Sequence, residues 1–318
     1  MNTPHRDAPM WLAWLLGFVG VTVFALTLPM TRIATGTAEA PQLSPWFVTW
    51  ARCVIAGTAS ALYLWLSRSP KPKREHLKPL GLTLLGNAVG YPLLLGWALR
   101  EVTAGHAAVI TALMPLATAA LAAWLLHQRA RLGFWVFAVI GAALVMGFSL
   151  WRIYSTGQGW HGGGWWPDLL LLGAVLASAM GYATGASVTA ALGAERVISW
   201  VCVMALPLCL PLAWWTWPSH AIDTASWWAL AYTGMFSMWM GFFAWYRGLA
   251  MGGALHISQV QLLQPFISIA AAIPLLGETL DPVALGFAAA VVVTVFLGRR
   301  FARPVSSTQP RRVMSSSS

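Results

Sequence analysis

Ser258, Gln261, Gln264 and Ser268 recur at steps of three, three and four, which puts them on one face of a helix. Thr83, Asn87 and Tyr91 step by four and share a face of another. Hydroxyl and carboxamide groups both donate and accept hydrogen bonds, so such faces can hold a polar solute. They can equally bond one packed helix to the next. Arg52 adds a cation that could grip a carboxylate through paired N–H groups, or reach outward to water or free carbonyls. Pro115 and Pro265 each remove a backbone donor and release a carbonyl, which can kink a helix beside a binding site or simply bend it.

Other chemistry is missing. The nine acidic residues are Asp7, Glu39, Glu75, Glu101, Asp168, Glu195, Asp223, Glu278 and Asp281. None lies deep in an apolar stretch, and Asp168 sits at the edge of one, so no carboxylate relay for protons or sodium is expected. Proton coupling would then fall to histidine, with His106 and His256 the candidates; a cap or packing role is the plainer alternative. Glu278 and Asp281 form a single acidic pair with no second cluster, which argues against a membrane transferase or any other enzyme. Cys53, Cys202 and Cys209 show no metal-type spacing, so no disulfide framework, metal or cofactor is expected.

The elements that would position these residues are long and apolar. The chain is 58% hydrophobic and 9% charged, with a mean hydropathy of +0.67. About 20 apolar residues cross a bilayer as a helix, and lipid leaves no partner for an open backbone. Spans are expected at Trp11–Ile33, Pro45–Leu66, Leu80–Leu99, Ala104–Leu126, Leu132–Leu150, Pro167–Leu192, Ile198–Trp217, Ser226–Ala250, Ala254–Leu276 and Pro282–Gly298. The first is too long for a signal-peptide core and is expected to stay. Gly86-x-x-x-Gly90 and Gly181-x-x-x-Gly185 are small-residue patterns that suit internal helix packing.

The net charge of +10 is dealt out by loop. Basic residues crowd alternate connections, and the others hold only Arg32, Arg100 and Arg152. This bias puts both termini in the cytoplasm and accounts for the charge without a nucleic-acid partner. Tryptophans such as Trp214, Trp215, Trp227 and Trp228 gather near the expected outer ends of spans, where indole prefers the headgroup layer.

A shift of 150 positions lays residues 80–150 on 230–300 without a gap. It matches Thr83 with Thr233, His106 with His256 and Pro115 with Pro265, and pairs Asn87 with Ser237 and Thr118 with Ser268. The fold expected is all-α and integral to the membrane: ten helices in two inverted five-helix repeats, because an odd-numbered unit inserts its second copy upside down. The repeats occupy 11–150 and 167–299, after a cytoplasmic segment 1–10. A Gly/Trp-rich external linker spans 151–166, and the basic, Ser-rich tail 300–318 is expected to be disordered.

These residues resemble the drug/metabolite transporter superfamily, EamA type, along all the expected spans. The resemblance rests on the paired prolines, on Ser44-Pro45 with Arg52, and on Leu276-Gly277-Glu278-Thr279-Leu280; the first half has Leu126-His127-Gln128-Arg129 at the matching place. It implies alternating-access export of a small metabolite, often an amino acid, from the inner membrane through a cavity between the repeats. Candidate lining residues are Thr27, Arg52, Asn87, Tyr91, Thr111, Tyr182, Ser237, Trp245, Gln261 and Gln264. The unpaired cation favours substrates bearing a carboxylate. Efflux of drug-like or lipid-linked molecules on the same scaffold is the alternative. The partners expected are a small-molecule substrate and the lipid bilayer, and nothing in the sequence sets an oligomeric state.

Overall fold

The computed structural model describes residues 10–125, 132–155, 165–252 and 257–301, and among these the chain is helical throughout apart from its connections. Eight helices are long and apolar enough to cross a membrane, and a further apolar helix, Val260–Leu276, is shorter. The elements in order are α1 (Met10–Ala25), α2 (Thr27–Thr35), α3 (Pro45–Leu66), α4 (Arg74–Thr83), a π-helical stretch Leu84–Gly90, α5 (Tyr91–Glu101), α6 (Ala104–Thr111), α7 (Met114–Leu125) and α8 (Leu132–Ser155). There follow α9 (Trp166–Leu192), α10 (Ala194–Trp215), α11 (Thr224–Tyr232), a second π-helical stretch Thr233–Met240, α12 (Gly241–Gly252), a 3-10 turn Ser258–Leu263, α13 (Gln264–Leu276) and α14 (Pro282–Phe301).

Helix covers most of the described residues of each expected span, interrupted at Leu26 and at 112–113 and ending at Trp215, short of Trp217, and local chemistry sets the ends. α3 begins at Pro45 because Ser44 caps it, its hydroxyl accepting from the Phe47 amide at 3.0 Å. α4 starts at Arg74, six residues before the expected Leu80, with Glu75 in its first turn. That polar turn precedes the apolar run and is invisible to hydropathy. α8 continues to Ser155, five residues into the expected linker. Leu126 and Ala254–His256 lie outside the described residues, as do most of the expected tail and the Gly-rich part of the linker.

The elements pair in a regular way. α3 packs along α10, α8 along α14, and α6 against α13, each joining a helix to the one about 150 residues on. α1 lies against α12, while α9 lies against α4, the first π-helical stretch and α5, so those two pairings exchange partners between the halves. Glycine permits both exchanged crossings. A Cβ on Gly86 would stand 2.3 Å from the Ala177 carbonyl oxygen, and one on Gly181 would stand 2.5 Å from Asn87. The two expected small-residue motifs therefore meet each other. At the related crossing a Cβ on Gly248 would come within 2.8 Å of the Gly17 amide.

Large apolar side chains are exposed along the outside of the bundle, from Val139 and Met146 on α8 to Trp214, Trp215 and Trp228 near one end. Trp50 is buried and stacks on the exposed Trp46 at 6.0 Å. The three cysteines are buried and free.

Gly86→Ala should lower the thermal midpoint of the purified protein, because its methyl meets fixed backbone; overpacking of this kind costs about 1–3 kcal/mol. Gly81→Ala has open space and a helical position, and should leave stability unchanged or raise it by about 0.5–1 kcal/mol. Detergent melting curves of both variants decide the matter.

Candidate functional site

Five helix irregularities converge midway along the bundle. The α1–α2 run breaks at Leu26, and Ser268 from α13 donates to the exposed Ala25 carbonyl at 2.6 Å. The first π-helical stretch ends against Pro92, which lacks the amide that would bond Ala88. The Cys53 thiol takes that carbonyl instead, at 3.2 Å. The second π-helical stretch occupies the matching place in the other half. Wide turns of this kind often mark functional positions, and here they carry Asn87 and Ser237. Pro115 and Pro265 lie at the remaining irregularities: α6 ends at Thr111 and α7 resumes at Met114, and a 3-10 turn precedes α13.

Two narrow cavities lie among these breaks. The larger, about 40 Å³, is lined by Thr27, Arg52, Asn87, Tyr91, Tyr182, Ser237 and Gln264, with Phe24, Ser178 and Phe242. The smaller, about 20 Å³, is lined by Thr111, Pro115, Gln261, Gln264, Pro265 and Ser268. Met114 and Gln264 border both. A water needs on the order of 10–15 Å³ of such space, so the hollow has room for a few waters. Thr27 Oγ1 and Ser237 Oγ meet at 2.7 Å, joining the halves across the larger cavity.

Arg52 governs the electrostatics. It is 3% exposed, and its Nε and one terminal nitrogen have no hydrogen-bond partner among the described residues. Neither cavity is lined by an acidic side chain. Burying an unpaired cation costs several kcal/mol, so the site is primed for an anionic group. Asn87 Oδ1 is also buried and unpartnered, and it faces the same cavity. One hollow thus offers a cationic donor and a free acceptor.

Nine of the ten expected lining residues border these cavities. Trp245 does not: it packs beside Gly20 and in a cluster with Ala13, Val21, Ile257 and Val260. The four-residue step that selected it fails because a π-helical stretch winds more residues into each turn, and the face drifts away after Ser237. Phe24, Ser178 and Phe242 went unrecognised, though Ser178 lies one turn before Tyr182 on α9; Met114 stands at the repeat counterpart of Gln264. His256 lies outside the described residues.

The acidic residues are more engaged than expected. Asp168 is buried in the first turn of α9, and its Oδ1 lies 2.5 Å from His106 Nε2. Asp168 thus stands at the edge of its span, as expected, yet its carboxylate is buried beside His106. Glu278 accepts from the Ala104 and Gly105 amides at 2.7 and 3.0 Å, closing the start of α6 from the other half of the chain. At the opposite end of the bundle, Glu195 accepts from Arg247 at 3.0 Å and from the Tyr63 hydroxyl at 3.2 Å.

An apolar-surfaced helical bundle enclosing a small polar hollow between two related halves is the build of a multi-pass membrane carrier. Residues 11–150 and 165–298 each match the EamA-like transporter family, and the chain belongs to that family. It is 38% identical over 294 residues to the Bacillus subtilis (strain 168) protein named uncharacterized transporter YdeK, covering 91% of this chain and 98% of that one. A solved crystal structure shares the fold at a TM-score of 0.59 and 19% identity, over 93% of this chain and 99% of its own.

Arg52→Gln should raise the melting temperature of the substrate-free protein, since it removes an unpaired buried charge that costs several kcal/mol. A lower melting temperature would mean that the guanidinium is already satisfied in the empty site.

Proposed function

We propose that this transporter exports a small zwitterionic metabolite, in the first place an amino acid, across the inner membrane by alternating access. One observation carries the reading: Arg52 and Asn87 present an unpartnered donor and an unpartnered acceptor to the same closed cavity. A carboxylate answers the first through a charge-assisted pair. An ammonium answers the second, with the Thr27 and Ser237 hydroxyls and the tyrosine rings beside it. Phe24 and Phe242, edge to face at 4.9 Å, supply an apolar wall for the rest of the solute.

In this reading the chain crosses the membrane ten times as two inverted repeats, with both termini cytoplasmic. Support comes from the exchanged packing of α1 with α12 and of α9 with α4–α5, from the two π-helical stretches at matched positions, and from the basic residues of alternate loops. The Glu278 end is then external and the Glu195 end cytoplasmic. Contacts between the halves join them at both ends, Glu278 to the head of α6 and Tyr63 to Glu195, and opening one end at a time admits substrate on one side and releases it on the other.

Counterflow in proteoliposomes against amino acids, sugars and cationic dyes tests the substrate class; uptake of cationic dyes alone would overturn it. Gln261→Leu should cut transport at least tenfold in correctly inserted protein, since it takes a carboxamide from the smaller cavity. Unchanged rates would remove that cavity from the pathway. Arg52→Gln should impair carboxylate substrates more than their amides, and equal losses would detach Arg52 from substrate.

A further inference from the structure

We propose that Met114 and Gln264 form a partition that divides one substrate site into two compartments, and that the side chain at position 114 sets the length of solute the protein carries. The inference rests on the amino-acid reading above and deepens it. Residues 114 and 264 are 150 apart, so they are counterparts in the repeat. Each opens a helix that resumes after an irregular turn, α7 and α13, and each is followed by a proline, Pro115 and Pro265. Both border the larger and the smaller cavity, and among the described residues no other borders both.

The two compartments suit different parts of a solute. The larger has Arg52 and Asn87, the groups that answer a zwitterionic head, with Thr27 and Ser237 beside them. Among the described residues no charged side chain lines the smaller, whose walls include Thr111, Gln261 and Ser268 with Leu262 and Val292. An ionic head would lose hydration there without an opposite charge to replace it, so the smaller compartment suits the uncharged remainder of the molecule. With about 40 Å³, the larger cavity leaves no room for a long tail beside the head. The way on leads between Met114 and Gln264.

Met114 is the leaf that moves. Its side chain is buried, unbranched and adaptable, so it changes shape at little cost. One contact holds it in place: the Ser178 hydroxyl, on α9 in the other half of the chain, donates to its Sδ at 3.4 Å. Ser178 also lines the larger cavity, so the leaf is tethered from across the head-group compartment. A thioether is a weak acceptor, and an entering tail can displace that bond. Gln264, the opposite leaf, brings a carboxamide to both compartments. Shortening residue 114 joins the two spaces; loosening its tether lets a tail part them more easily.

Counterflow of the full chain in proteoliposomes tests this with one head group and a growing tail: alanine, 2-aminobutyrate, norvaline and norleucine, each read as kcat/KM. Met114→Ala should raise the norleucine-to-alanine ratio roughly tenfold over wild type, the scale expected for room to bury two or three further methylenes. Met114→Leu conserves volume and should leave the ratio within about twofold of wild type. Ser178→Ala frees the thioether without emptying the wall and should move the ratio the same way by roughly threefold, the worth of one weak hydrogen bond. That variant decides the matter if Met114→Ala does not insert. A purely structural role would lower all four rates together and leave the ratio where it was; that result overturns the partition while the amino-acid reading stands. Wild-type protein that carries none of the four also overturns the partition, and if it carries no amino acid at all, the reading beneath it falls as well.

Discussion

Hydrocarbon offers no hydrogen bond, so every place where a membrane helix departs from regular winding must be answered from within the protein. Most of what is distinctive in this molecule follows from that constraint. The break after Ala25 is met by Ser268, the carbonyl freed at Ala88 by Cys53, the Val23 carbonyl by Tyr232, and the Ile33 carbonyl by Ser226. Three of these four donors come from the opposite half of the chain. The irregular turns that open a hollow between the halves are thus also what binds the halves together. One of these donors, Ser268, also lines the smaller cavity.

Charge obeys the same rule. Arg32 and Arg100, which break the pattern of basic loops, are spent on backbone: Arg32 caps the carbonyls at the end of α5, and Arg100 reaches Thr35 and Leu43. Arg152 pairs with Asp281, Arg247 with Glu195. Against that economy Arg52 stands apart, enclosed and unanswered beside Asn87. Local repair does not account for it, which is why the proposed function rests on it.

Hydropathy and capping residues made the helices legible. Ser44-Pro45 located one helix start to the residue, and the shared prolines located two breaks. Side-chain spacing survived short irregularities: Gln261, in the 3-10 turn, and Gln264, just after it, both border the smaller cavity. It misplaced Trp245 because nothing in Thr233–Met240 announces a π-helical winding. In the first half Pro92 was a usable sign, but the second half has Phe242 at the corresponding place. The His106–Asp168 contact was beyond reach for another reason: it joins residues 62 apart, on helices whose adjacency depends on the exchange of partners between the halves.

Glu278 has a sequel in the imperfection of the repeat. Its carboxylate grips two amides at the head of α6, whereas the position 150 residues earlier is Gln128, a neutral amide with one acceptor oxygen. A helix N-terminus attracts negative charge, so the sequence carries at Glu278 a charge for this clasp that it lacks at Gln128.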